Sequence, residues 1–121
     1  MGKQKSPLIR KHGSMVMAMI QSPHNVRKKL INAANRPVID CVSECCHNVL
    51  KGNVHLTKAQ KTKLHPIRQQ LRQIASKSVS IKKKKRILNQ KGGFLPLLAG
   101  ALLPLLGKAV IGGLGGVLKS L

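Results

Sequence analysis

Val38, Val42, Cys45 and Val49 recur at helical spacing in the middle of the chain, and Ile39, Cys46 and Leu50 widen that stripe. The spacing predicts a helix. Pro37 suits its first position, Asp40 and Glu44 lie in its N-terminal half, and Lys51-Gly52 suits its end. A helix apolar over so wide an arc needs neighbours to cover it. One neighbour follows Ser22-Pro23 and carries Val26, Leu30 and Ile31. Another opens on Thr57 with Gln60 three residues on, the pattern of a capping box, and carries Leu64, Ile67, Leu71 and Ile74. Pro66 is expected to kink or restart that helix. The fold expected is all-α: a small three-helix module over 22–76, flanked by basic arms at 1–21 and 77–93 that stay disordered without a partner.

The pattern changes again at Phe94. From there to Leu106 no side chain is polar, and Pro96 and Pro104 interrupt the run. Beyond it Ile111, Leu114, Val117, Leu118 and Leu121 share one helical face, with Lys108 and Lys119 on another. A buried core helix would need a larger domain than the module provides, so residues 94–121 read as a membrane-interacting tail. An in-plane amphipathic helix is favoured. The competitor is a spanning helix over 94–118, which would bury Lys108 at about 2.5–3.5 kcal/mol. The residues expected to meet lipid are Phe94, Leu95, Leu97, Leu98, Leu102, Leu103, Leu105, Leu106, Ile111, Leu114 and Leu118.

Charge sharpens this picture. The 121 residues hold 23 Lys and Arg against two acids, a formal net charge of +21. The acids are Asp40 and Glu44, both in the central helix. Self-repulsion on this scale calls for a polyanionic partner, nucleic acid or an anionic membrane. Phe94 is the sole aromatic residue, so base stacking is excluded as a main source of affinity and phosphate contact remains. The cations concentrate in two places. Lys58, Lys61, His65, Arg68 and Arg72 would fall within roughly 80° of one another on a continuous helix. Lys82, Lys83, Lys84, Lys85 and Arg86 are consecutive, and resemble a nuclear localisation signal able also to condense double-stranded DNA.

Other motifs carry less. Cys41, Cys45, Cys46 and His47 do not supply the two separated ligand pairs of a structural zinc site, so the cysteines read as buried structural residues. No metal, cofactor or catalytic constellation is indicated, and the chain is not expected to be an enzyme. Met1-Gly2-Lys3-Gln4-Lys5-Ser6 matches the N-myristoylation pattern at Gly2. The run Met15 to Ile20 is too short for a secretory h-region.

The order of a cation run, then Gly92-Gly93, then Phe94-Leu95-Pro96-Leu97-Leu98 and Pro104-Leu105-Leu106 resembles the precursors of the adenovirus core protein X (mu) family. Similar small basic proteins occur in adintovirus and polinton elements. The likeness covers about residues 82–121. It departs in being Lys-rich where the family is Arg-rich, and the helical module has no counterpart there. It implies a late virion protein of the host nucleus that binds DNA without reading sequence, beside viral capsid proteins. Gln90-Lys91-Gly92-Gly93 resembles the recognition pattern of that family's maturation protease, with the cut implied between Gly93 and Phe94. Two rivals stay open: a cellular membrane-associated protein with a C-terminal anchor and polybasic juxtamembrane segment, and a host-defence peptide precursor.

Overall fold

In the computed structural model, residues 7–90, 95, 98–102 and 106 are described. They form helices and connecting turns with no strand among them, so the fold is all-α. The helices are α1 (Pro7–Gln21), α2 (His24–Ala33), α3 (Arg36–Leu50), α4 (Lys58–Leu64), α5 (Arg68–Ala75) and α6 (Ile81–Asn89). A 3-10 turn, His65–Ile67, joins α4 to α5.

The central helix α3 forms where the apolar stripe places it. Asn35 caps its start, its side chain accepting from the Val38 amide at 3.3 Å. Its far end closes in a Schellman arrangement: Asn53 N–H donates to the Asn48 carbonyl, and Gly52 N–H to that of Val49. Gly52 takes φ +80 there, a conformation that disfavours side chains with a Cβ. The α4 capping box is present, with Gln60 N–H donating to Thr57 Oγ1 at 3.1 Å and Thr57 N–H to Gln60 Oε1 at 2.8 Å. Pro66 lies at the start of the 3-10 turn, so the expected third helix is two helices with a break.

Several expectations give way. Residues 7–21 are a helix, not a flexible arm. Ile9, Val16, Met17, Met19 and Ile20 are buried, and α1 makes the most extensive contact with α3. Spaced at helical intervals, these residues supply the cover that α3 requires. Residues 81–89 are likewise helical, opened by Ser80, whose hydroxyl accepts from the Lys83 amide at 3.1 Å. In α2, Val26 is 41% exposed; Arg27 and Ile31 face inward in its place, one helical turn apart. Leu50 is also exposed, at 39%.

A further change concerns the tail. Leu95, Leu98, Leu102 and Leu106 are 0% exposed and belong to one core cluster with Val16, Ile39, Val42, Leu71, Ile74 and Leu88. Residues 98–102 are helical, and a Cβ on Gly100 would stand 2.7 Å from Gln60 Nε2 in α4. The six-helix body is thus larger than a three-helix module, large enough to bury an apolar segment against itself. That is why the described tail leucines lie in protein rather than at the surface.

Candidate nucleic-acid interface

The cations of α4 and α5 stand in solvent: Lys58, Lys61, Arg68 and Arg72 are all exposed. The break at His65–Ile67 means that they do not form one continuous helical stripe. Arg68 Nη1 bridges the break, donating to the His65 carbonyl at 3.0 Å and to His65 Nε2 at 2.8 Å.

The five-cation run divides by helical position. Lys82, Lys83 and Arg86 are exposed. Lys85 is half-buried, its Nζ donating to the Asn32 carbonyl of α2 at 3.0 Å, and Asn89 Nδ2 donates to Asn32 Oδ1 at 2.9 Å. Lys84 is only 3% exposed. Its Nζ donates to Ser43 Oγ of α3 at 2.8 Å, and Ser43 in turn donates to the Ile39 carbonyl at 3.2 Å. Lys84, expected to contact DNA, is therefore withdrawn from any phosphate. The reason lies in the spacing: Ile81, Lys84, Ile87 and Leu88 fall on one face of α6, so Lys84 occupies a core-facing position.

Burial pushes the Lys84 ammonium below the ordinary lysine value, with Asp40 and Cys46 working against that shift and Arg36 adding to it. Lys84 also lines a groove of about 990 Å³ between α3 and the segment that leads from α5 into α6. Asp40, Glu44 and His47, on one face of α3, line the same groove. Asp40 pairs with exposed Arg36 at 3.6 Å, the one ion pair found among the described residues. The surface cations are thus almost without internal counter-charge.

Sequence reasoning also missed Arg27. It is 6% exposed, and its Nε and Nη1 have no hydrogen-bond partner. Its place one turn before Ile31 was the available signal. The three cysteines are free and buried, as expected of structural cysteines in α3. A hydrogen bond with Cys41 together with burial pushes the Cys45 thiol up, and burial, against the opposing charge of Lys84, pushes Cys46 up to about 12. No group of three metal-capable side chains gathers among the described residues.

Several expected sites fall outside the described residues: Gly2; Lys91, Gly92, Gly93 and Phe94 of the cleavage pattern; and Leu97, Leu103, Leu105, Ile111, Leu114 and Leu118 of the tail. Gln90 is described, as the C-cap of α6. Among the described residues no helix is long and apolar enough to cross a membrane. The class defined is a small all-α domain with a strongly basic, sparsely paired surface. No protein-family model, curated protein or solved structure matches the chain.

Proposed function

We propose that the protein is a nonenzymatic, DNA-condensing virion component that binds double-stranded DNA through phosphates without reading base sequence. The observation that carries this reading is the uncompensated charge, +21 from 23 cations and two acids, with Lys58, Lys61, Arg68, Arg72, Lys82, Lys83 and Arg86 all open to solvent. Phosphate neutralisation is the chemistry such a surface performs, and the near-absence of aromatic residues leaves it little else with which to hold a nucleic acid. Lys84 drops out of the contact set and Lys85 contributes from a tethered position.

Virion residence, nuclear entry and cutting after Gly93 belong to the same reading, supported by the order of cation run, Gly92-Gly93 and apolar segment. Membrane activity carries a condition. Leu95, Leu98, Leu102 and Leu106 must leave the core before they reach lipid, so the tail acts on membranes after release and not in the folded state.

The deciding experiment titrates the chain against two unrelated duplexes at several salt concentrations. Equal affinities that fall about 10³- to 10⁵-fold between 50 and 200 mM salt, as for six to ten phosphate contacts, are expected. Affinity that ignores salt overturns the proposal. Incubation with a cognate maturation protease, followed by intact mass, tests the cut between Gly93 and Phe94.

A further inference from the structure

Lys84 and Arg27 are the two buried cations among the described residues, and Lys84 is the one that lines a groove. A lysine in the middle of a cation run has no need of such a place if its task is charge alone. It is held there from two sides: by its own helix, which puts it in line with Ile81, Ile87 and Leu88, and by Ser43 Oγ at 2.8 Å.

We propose that Lys84 is a nucleophilic amine that condenses with a small anionic aldehyde admitted to the groove between α3 and the start of α6. Four features support this. The groove, at about 990 Å³, has room for such a ligand. Burial favours the neutral amine, the form that attacks carbonyl carbon, against the opposing influence of Asp40. Lys77 on the groove wall provides positive charge for the ligand's anionic group, beside Arg36, which shares its charge with Asp40 at 3.6 Å. Glu44 and His47, on the same wall, provide groups that exchange protons during loss of water.

The step balances without an external oxidant or reductant. The neutral Nζ adds to the aldehyde carbon and a C–N bond forms. The carbonyl π pair moves to oxygen, which takes up a proton. The carbinolamine then expels that oxygen as water while nitrogen gives up its remaining proton, leaving an imine. Ser43 is not the nucleophile: its hydroxyl proton is engaged by the Ile39 carbonyl at 3.2 Å, so toward Lys84 it acts as acceptor.

The site is independent of DNA, and its test uses the full chain alone. Glyoxylate is added near neutral pH with cyanoborohydride, which reduces only the imine, and the adducts are mapped by peptide mass spectrometry resolving Lys82 to Lys85. Lys84 is expected to label about tenfold or more ahead of exposed Lys82 and Lys83. Lys84→Arg keeps the charge and a donor toward Ser43 but removes the amine, and is expected to abolish the preferred adduct with the thermal midpoint retained. Acetaldehyde, lacking the anionic group, is expected to lose the preference. Labelling that spreads over the exposed lysines and spares Lys84 overturns the proposal and leaves Lys84 a satisfied core residue. Equal preference with acetaldehyde overturns its anionic part. If Lys84→Arg does not fold, the wild-type map decides alone.

Discussion

Lys84 Nζ donates to Ser43 Oγ at 2.8 Å, so the middle of a five-cation run is fastened to the helix that carries the core. The run therefore contains residues with opposite tasks. Lys82, Lys83 and Arg86 face solvent; Lys84 is packed. Replacing the three exposed cations together by Ala is expected to reduce the salt dependence of DNA binding by up to about 2.7 in log–log slope, at about 0.9 per lost phosphate contact. Lys84→Met is expected to leave that slope unchanged. Removing a buried charge in favour of an apolar side chain of similar length is also expected to leave stability equal or higher. Parallel salt titrations and urea unfolding of the two variants check both statements.

Leu102 tests where the tail belongs. It is fully buried, in a helical stretch that shares the core with α1, α3, α5 and α6. Leu102→Ala is expected to destabilise the fold by about 2–5 kcal/mol, the range for truncating a buried leucine. Because the same change loosens the docked segment, binding to anionic vesicles is expected to rise in the variant. Unchanged urea midpoints with reduced vesicle binding would instead mean that the tail engages lipid from the native state.

The elements legible in the sequence were those with local signals of their own. Pro37, Gly52 and the Thr57–Gln60 pair each act through backbone geometry within a few residues, and the helix ends fall beside them. What stayed hidden was overridden by composition. In 77–93 the charge run masked a helical period that Ser80, Ile81, Lys84, Ile87 and Leu88 nevertheless carry. In 1–21 the cations Arg10 and Lys11 masked Ile9, Val16 and Ile20. The tail was ambiguous for a physical reason: a segment apolar all round suits a core and a bilayer equally, and only the size of the surrounding body decides. The exposed phosphate-contacting candidates were readable, because exposure is the default for Lys and Arg. Arg27 and Lys84 were not, because they depart from that default.

Two glycines are expected to respond differently to alanine. Gly52 has φ +80 and nothing near its Cβ position, so Gly52→Ala acts through backbone strain alone, about 1–2 kcal/mol. At Gly100 the obstacle is Gln60 Nε2 at 2.7 Å, a movable side-chain end. The same Gln60 closes the α4 capping box through its Oε1, however, so pushing it aside also loosens that cap. Gly100→Ala is therefore expected to cost about as much as Thr57→Ala, roughly 1 kcal/mol, with the double variant less than additive. Urea unfolding of the single and double variants measures the coupling; full additivity would separate Gly100 from the cap.

The buried Lys84 amine and the buried Cys46 thiol pull stability in opposite directions at alkaline pH. Lys84 in the folded chain has a value below the 10.5 of the free side chain. Between those two values the unfolded chain binds more protons than the folded one, so stability rises with pH there. Below the folded value both states are protonated and the penalty of burying the ammonium is fully present. Cys46 behaves in reverse: its folded value, about 12, lies above the free 9.0, so between them the folded chain keeps a proton that the unfolded chain has lost, and stability falls as pH rises. Lys84→Met removes the first effect and, because the Lys84 charge holds the Cys46 thiol down, strengthens the second. The difference in unfolding free energy between Lys84→Met and wild type is therefore expected to be largest below the folded Lys84 value and to shrink as pH rises from there toward 10.5. Urea unfolding of both proteins across this range decides it, and a difference independent of pH would show that the Lys84 ammonium is as well solvated in the folded chain as in the unfolded one.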